Sequence, residues 1–312
     1  MSSIDNFFRT QNNRILGELI EAEFPELTMI NGNIIPLDTN FSDIDDTYSF
    51  SFITKLGSAA LIAGCASDVP RVTSFTDKRA GRFQLISTSY AFCREDLRKA
   101  QARGVNLEAT DAMIANEVLK QTADQTLVYG VPQAGLYGLL SQPNATISNL
   151  PADGQLNVSG NGPNSFRWSD KTGEQILRDL CLLSQTPRSL SNGVMFHNVM
   201  YLGLKAFDKL SCTVAPGVTS GETLLSFFLR TQQVNPRGIR EVIPMAFLDG
   251  EGTAGSDMVI TLNNREGNIK AVMVAGVQVE EYDDQLDKCV RLSHSLGSVI
   301  QLKNLAIQYA SV

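Results

Sequence analysis

The sequence holds two histidines in 312 residues, His197 and His294, and a single tryptophan. Two imidazoles so far apart supply no zinc-type ligand set, and packing or surface positions are the expected roles of both. His-Glu-x-x-His, the Gly-Lys-Ser/Thr phosphate loop and the Gly-x-Ser-x-Gly elbow are all missing, so no catalytic, cofactor-binding or metal-binding residues are expected. The five cysteines, Cys65, Cys93, Cys181, Cys212 and Cys289, are scattered without a Cys-x-x-Cys pair. An odd, dispersed set argues against a disulfide framework and for reduced thiols, most of them small core residues. No apolar run approaches the ~18 residues of a membrane helix, and the start, MSSIDNFFRTQNNRILGELIEAEFPE, has no basic stretch followed by an apolar one. Neither a membrane partner nor secretion is expected. What is present is a globular composition, 43% hydrophobic and 19% charged, in a chain long enough for a sizeable core.

The net charge of −7 is unevenly placed. Residues 1–46 carry nine acids, among them Asp43, Asp45 and Asp46, against Arg9 and Arg14. Residues 47–104 carry nine bases, among them Lys55, Arg71, Lys78, Arg79 and Arg82, against four acids. Two solvated surfaces of opposite sign are one reading. The other is an acidic arm of one copy meeting the basic segment of another.

Residues 1–46 read as an extended arm. Its apolar pieces (Phe7, Phe8, Ile15, Leu16, Leu19, Ile20) allow one short helix, and Pro25, NGN and Pro36 then punctuate it. Such a segment cannot bury its own apolar side chains and is expected to lie against something else. TYSFSFITKL and GRFQLISTSYAF alternate with period two. They predict the two strands of a long hairpin around GSAALIAGCASDVPRVTSFTDKRA, which needs a partner to cover it. REDLRKAQARG predicts one or two helical turns. NLEATDAMIANEVLKQTADQTLVYG predicts a long helix with Asn106 as N-cap and Gly130 past its end. Ala112, Ala115, Val118, Leu119 and Ala123 form its apolar stripe, while Glu108, Asp111, Glu117, Lys120 and Asp124 take the polar side.

A second domain begins near residue 147. KTGEQILRDLCLLSQT is an amphipathic helix with a Thr172/Gln175 capping box. GVMFHN reads as a strand, and VMYLGLKAFDKL and SGETLLSFFLRTQ as helices, the latter capped by Ser220. EVIPMAFLD, SDMVITLNN, IKAVMVAGVQVEEY and GSVIQLKNLAIQYA are strand-like. Strands with segregated helices, lacking regular βαβ alternation, point to an α+β fold.

Gly250, Gly252 and Gly255 give Gly-x-Gly-x-x-Gly after an apolar run, the spacing of a dinucleotide turn. That motif needs a helix after it and an acid about 20 residues on. SDMVITLNN is instead β-like, and position 275 is Ala275. The glycines are expected to form a hairpin tip between strands, which leaves a nucleotide-binding oxidoreductase as a minor alternative. Asp45–Asp46, Glu280–Glu281 and Asp283–Asp284 sit in polar runs and are expected to be solvated.

Residues 82–145 carry a more specific pattern. Tyr90, Glu95, Leu97 and Ala100 match Y-x-x-x-x-D/E-L-x-x-A, and Gly130, Gly135, Leu136, Gly138, Leu139, Leu140 and Pro143 match G…GLxGLLNxP, with Ser141–Gln142 at its polar pair. Farther on, Trp168, Thr172, Ile176 and Asp179 match W-x-x-x-T-x-x-x-I-x-x-D. In these motifs and in its layout the chain resembles the major capsid proteins of tailed bacteriophages with the Hong Kong 97-type fold. The resemblance implies an N-terminal arm (1–46), an extended loop (47–85), a peripheral domain with a spine helix (86–146), an axial domain (147–275) and strands returning to the peripheral domain (276–312). It implies a protein of the virion capsid, built in the bacterial host cytoplasm as hexamers and pentamers of itself around double-stranded DNA held by non-specific contact. Portal, scaffold and decoration proteins would be further partners. No leading scaffold region is recognisable, so an uncleaved coat protein with a separately supplied scaffold is expected. Under this reading Lys55, Arg71, Lys78, Arg79 and Arg82 meet acids of an adjacent subunit, with Asp43, Asp45 and Asp46 as candidates, and Cys65 is a candidate intersubunit thiol. An encapsulin-type nanocompartment shell is the alternative within the same fold, and a tail or baseplate protein a third.

Overall fold

The computed structural model describes residues 27–31, 34–42, 44–56, 72–93, 107–156, 164–217, 221–284 and 287–312. Strand β1 (Leu37–Phe41) is followed by β2 (Thr47–Leu56), β3 (Thr73–Arg82) and β4 (Gln84–Cys93). Helix α1 (Leu107–Tyr129) leads into a clip of β5 (Gly130–Val131) and β6 (Leu136–Tyr137), then β7 (Thr146–Ser148). Helix α2 (Gly173–Leu190), β8 (Val199–Leu202), α3 (Leu204–Cys212), α4 (Leu224–Gln233) and β9 (Glu241–Pro244) come next. Strands β10 (Met258–Leu262), β11 (Ile269–Val274), β12 (Gln278–Asp284), β13 (Asp287–Gln301) and β14 (Ile307–Ser311) complete the order.

Two five-stranded sheets organise these elements. The first runs β1-β11-β13-β12, with β4 also paired to β13; the second runs β7-β14-β10-β8-β9. The sheets cut across the expected boundaries. β11, within 147–275, lies in the first sheet, and β14, within 276–312, lies in the second. Strands β8 and β10 are buried on both faces. Val199, Tyr201, Ile260 and Leu262 enter the main core, while Met200, Leu202 and Val259 enter a second core under α2, α3 and α4. A strand covered on both sides reads as continuous apolar sequence. That is why VMYL passed for the start of a helix and the strand was placed too early, at GVMFHN. The other apolar runs are each interrupted once: IKAVMVAGVQVEEY divides into β11 and β12, and GSVIQLKNLAIQYA into the end of β13 and β14.

Helix α1 lies on β4 and β13. Ala115 and Leu119 pack with Val290, Leu292, Ile86 and Tyr90, and Ala123 and Leu127 continue the same four-residue row into the main core. Val118, expected in this stripe, is exposed, because it stands one residue off the row. The helix ends at Gly130, with φ +75°. A Cβ on Gly130 would lie 2.4 Å from the Gly138 nitrogen, and one on Gly138 would lie 2.4 Å from the Gly130 nitrogen. The G…GLxGLL pattern is therefore a close backbone approach. It lets the Leu139 and Leu140 amides donate to the carbonyls of Leu127 and Val128 at 2.8 and 2.9 Å, capping the helix end. Ser141 Oγ accepts from the Gly138 amide at 2.8 Å, and Gln142 Nε2 donates to the Gly138 carbonyl at 2.6 Å, so the unusual polar pair fastens the same clip.

The arm is the largest departure from expectation. Met29, Ile34 and Ile35 are buried in the main core of their own chain, and β1 pairs in parallel with β11, Leu37 opposite Ala271. Residues 27–42 thus bury their apolar side chains without a partner; residues 1–26 lie outside the described residues.

Both histidines are buried. His197 Nε2 meets the Leu305 carbonyl at 2.8 Å and Nδ1 meets Thr261 Oγ1 at 2.7 Å. It holds the turn between β13 and β14, where Leu305 has φ +63°. Burial pushes its pKa down to about 4 from 6.5. Between those values the unfolded chain binds a proton that the folded chain refuses, so stability falls as pH drops through this window, by up to about 3 kcal/mol. Denaturation of the dissociated chain from pH 7 to pH 4 should show that slope, and His197→Gln should flatten it. Three of the four described cysteines, Cys93, Cys181 and Cys212, are exposed and only Cys289 is buried, contrary to the expectation of core thiols. Cys93 and Cys181 both fall on the outward side of elements whose other face is covered.

Candidate assembly surface

The hairpin is made by β2 and β3, in register from Thr47 opposite Arg82 to Leu56 opposite Thr73. Its return strand therefore lies in the segment read as an excursion. The strand expected in that role, β4, pairs instead with β13, from Cys93 opposite Asp287 to Gln84 opposite Leu296. β3 is polar and solvent-facing on both sides, which hides it from a periodicity argument, whereas β4 has one face on α1.

The hairpin is pinned at its root. Tyr48 is buried, and its hydroxyl accepts from the Ser298 amide at 3.1 Å. Phe41, Phe50 and Phe83 pack around it with ring centroids 5.1–6.2 Å from its own. Gly297 admits the Tyr48 ring, since a Cβ there would meet the Val272 carbonyl at 2.9 Å and Tyr48 at 3.1 Å. Lys270 Nζ lies 4.0 Å from the Phe50 centroid and 2.5 Å from Asp38 Oδ2, tying β11, β2 and β1 together. Burial raises the Asp38 pKa, but bonds from Lys270 and Asn40 more than offset it, so the carboxyl sits below its ordinary range. Beyond the root the hairpin exposes Val72 (74%) and Phe75 (59%), and the preceding turn exposes Ile44 (89%).

The expected intersubunit residues are distributed as follows. Lys78, Arg79 and Arg82 are exposed on β3. Arg79 shares the Phe50 side of the ribbon and its Nη1 donates to the Gln301 carbonyl at 3.1 Å, so it serves its own chain at the root. Lys78 and Arg82 point to the opposite side. Asp45 Oδ2 accepts from the Ser42 amide at 2.9 Å and closes its own turn. The Asp46 carbonyl accepts from the Phe83 amide at 3.0 Å, which places Asp46 beside Arg82 of the same chain. Lys55 is described in backbone only; Arg71, Asp43 and Cys65 lie outside the described residues, as do Asn106 and Ser220. Thr223 caps α4 instead, accepting from the Ser226 amide at 3.3 Å.

Two charged groups of structural consequence were not singled out for these roles. Asp124, assigned to the polar side of α1, is buried and accepts from the amides of Met29 (2.7 Å) and Ile30 (3.0 Å) through Oδ1. Its Oδ2 takes the Thr28 amide and hydroxyl at 3.3 and 3.2 Å. In the second domain Lys171 and Asp179 have fully buried side chains and meet at 2.5 Å. Lys171 also donates to the Pro151 carbonyl at 2.7 Å, and Arg178 bridges Asp179 and Asp153 at 2.9 and 2.5 Å. Hydrogen bonds from Arg178 hold the Asp153 pKa below its usual range. The Trp168…Asp179 motif is thus a packing and charge latch at the start of α2, where Gln175 Oε1 accepts from the Thr172 amide at 2.8 Å as the capping box requires.

The glycine loop is no hairpin tip. β9 and β10 do not pair with each other but flank β8 on its two sides, and the loop crosses between them because β9 runs parallel to β8 and β10 antiparallel. A strand follows Gly255, not a helix, so the backbone offers no helix N-terminus for a pyrophosphate, and the oxidoreductase alternative loses the feature that motivated it.

The family described as "Major capsid protein" matches residues 57–311. The chain belongs to that family. This capsid protein is similar to the capsid of Myoviridae phage XM1, at 11% identity, 94% coverage of both chains and a TM-score of 0.73. The capsid of cyanophage P-SCSP1u matches at 12% identity over 95% of this chain and 90% of that one, with a TM-score of 0.58. The virus-like particle of Pyrococcus furiosus matches at 15% identity over 91% and 92%, with a TM-score of 0.53. No curated protein matches the sequence. At these identities the likeness is one of fold, and the α+β architecture of the capsid protein is the Hong Kong 97-type fold. The nanocompartment alternative is not better supported than the phage capsid.

Proposed function

We propose that this capsid protein closes into an icosahedral shell of hexamers and pentamers around phage double-stranded DNA, assembled in the bacterial cytoplasm with portal and scaffold proteins and, where present, decoration proteins. The observation that carries this is the hairpin. Its root is fixed by buried Tyr48, while Val72 and Phe75 are held away from the body, exposed, on a two-stranded ribbon with open edges. Such a ribbon invites aggregation unless a partner covers it, and a lattice of identical copies supplies that partner at every position. Exposed ion pairs contribute only ~0–1 kcal/mol each, so apolar burial repeated through the lattice must supply most of the cohesion. DNA contact is non-specific, since no basic patch interleaved with aromatics is present in the sequence.

Negative-stain microscopy of the expressed chain, with and without a co-expressed scaffold protein, tests the reading. Closed shells of uniform diameter are expected. Rings or open tubes would assign it to a tail or baseplate, and monomers under both conditions would overturn it.

A further inference from the structure

The acids expected to face the basic hairpin lie at the wrong place for that task. Asp45 is engaged in its own turn, and Asp46 stands beside Arg82 at the root of the same hairpin. A different strand is both acidic and open. β12 pairs with β13 alone, and β1 leaves the sheet at Phe41, opposite Val274, before it could cover β12. β12 carries Glu280, Glu281, Asp283 and Asp284; Lys288 on β13 pairs with Glu281 at 3.2 Å, and Arg291 stands opposite Glu280. The acids still outnumber those bases. Glu280, Tyr282 and Asp284 are all exposed and fall on one face of the strand.

β3 has the complementary arrangement. Among the described residues it pairs only with β2, and Lys78, Ala80 and Arg82 are exposed on one face. In each strand the two like charges are four residues apart, roughly 13 Å, with a large Tyr282 in one set facing the small Ala80 in the other.

We propose that β3 of one copy pairs along the open edge of β12 of a second copy, Lys78 and Arg82 against Glu280 and Asp284. This rests on the shell reading above and names the partner surface within it. Main-chain hydrogen bonds between the two edges supply adhesion, and the matched charges fix register and exclude the slip that would set like charges together.

The test is a charge exchange. Lys78→Glu with Arg82→Glu, and separately Glu280→Lys with Asp284→Lys, should each lower the assembled fraction at least ~10-fold at low salt, as expected when like charges are juxtaposed. Combining all four should restore assembly to within about twofold of the unaltered chain, since the pairing is recreated with signs reversed. Circular dichroism of the dissociated subunits verifies that each variant folds. A second readout does not depend on charge: Ala80→Cys together with Tyr282→Cys, oxidised after assembly, should give ladders of covalently linked copies on non-reducing gels. Shells that form normally from both charge-reversed variants, or an exchanged quadruple variant no better than either, would overturn the pairing while leaving the capsid reading intact. An absence of ladders from shells of the double-cysteine variant would do the same. If the unaltered chain makes no shells at all, the capsid reading itself fails and takes this pairing with it.

Discussion

Asp179→Asn should cost the dissociated chain about 3–5 kcal/mol, because it removes one partner of a fully buried ion pair and leaves the other charged. Lys171 and Asp179 are both sealed from solvent and meet at 2.5 Å, whereas Asp153, the other carboxylate near Lys171, is 3.6 Å away and partly exposed. With the carboxylate gone, the ammonium keeps the Pro151 carbonyl and that distant acid, which cannot replace a desolvated countercharge. Urea denaturation followed by fluorescence of Trp168, which packs in the core under α2, α3 and α4, reads the loss directly. Lys171→Met with Asp179→Leu should recover most of it, since an apolar pair of similar volume carries no desolvation cost. A loss below about 1 kcal/mol for Asp179→Asn would show that water reaches the pair and that the latch is not sealed.

How far the chain was legible depends on which physical signal each element carries. Helices α1 and α2 declare themselves through four-residue spacing and, in α2, the Thr172/Gln175 box. β10 reads correctly because VITL is too short and too β-branched for a helix. β8 does not, since burial on both faces erases alternation. β3 fails for the opposite reason: neither face is covered, so TSFTDKRAGR has nothing apolar to repeat. The assembly surface was half legible. Its charge was visible in the sequence, and the hairpin's need for a partner followed from its small, polar composition. Which side each cation faces, and that Asp45 serves its own turn, depend on register. Asp124 shows the limit most clearly. Among Glu117, Lys120 and Gln125 it looks like another solvated residue, and only the backbone turn of Leu27–Asn31 arriving over it makes it a buried acceptor.

That turn predicts the second large effect. Asp124→Ala should cost about 3 kcal/mol, the scale expected when buried backbone donors lose a charged acceptor. Met29 and Ile30 would keep buried amides with nothing to replace Oδ1, and the cheapest relief is for the segment to lift off the body. Hydrogen exchange should show the amides of Thr28, Met29 and Ile30 losing protection, with Ile34 and Ile35 following because their burial depends on the same seating. Helices α2 and α4, packed in the separate core, should be unaffected. Asp124→Asn, which keeps one carbonyl oxygen in place, should retain part of the protection. Shell assembly should suffer more than stability does, because β1 also carries Asp38, the partner of Lys270 beneath Phe50. Loosening the arm therefore loosens the root that aims the hairpin, and an aiming error at one root is repeated at every copy. Unchanged exchange at Met29 in Asp124→Ala would mean the turn holds its own shape, and the link from arm to hairpin would have to run through β1 alone.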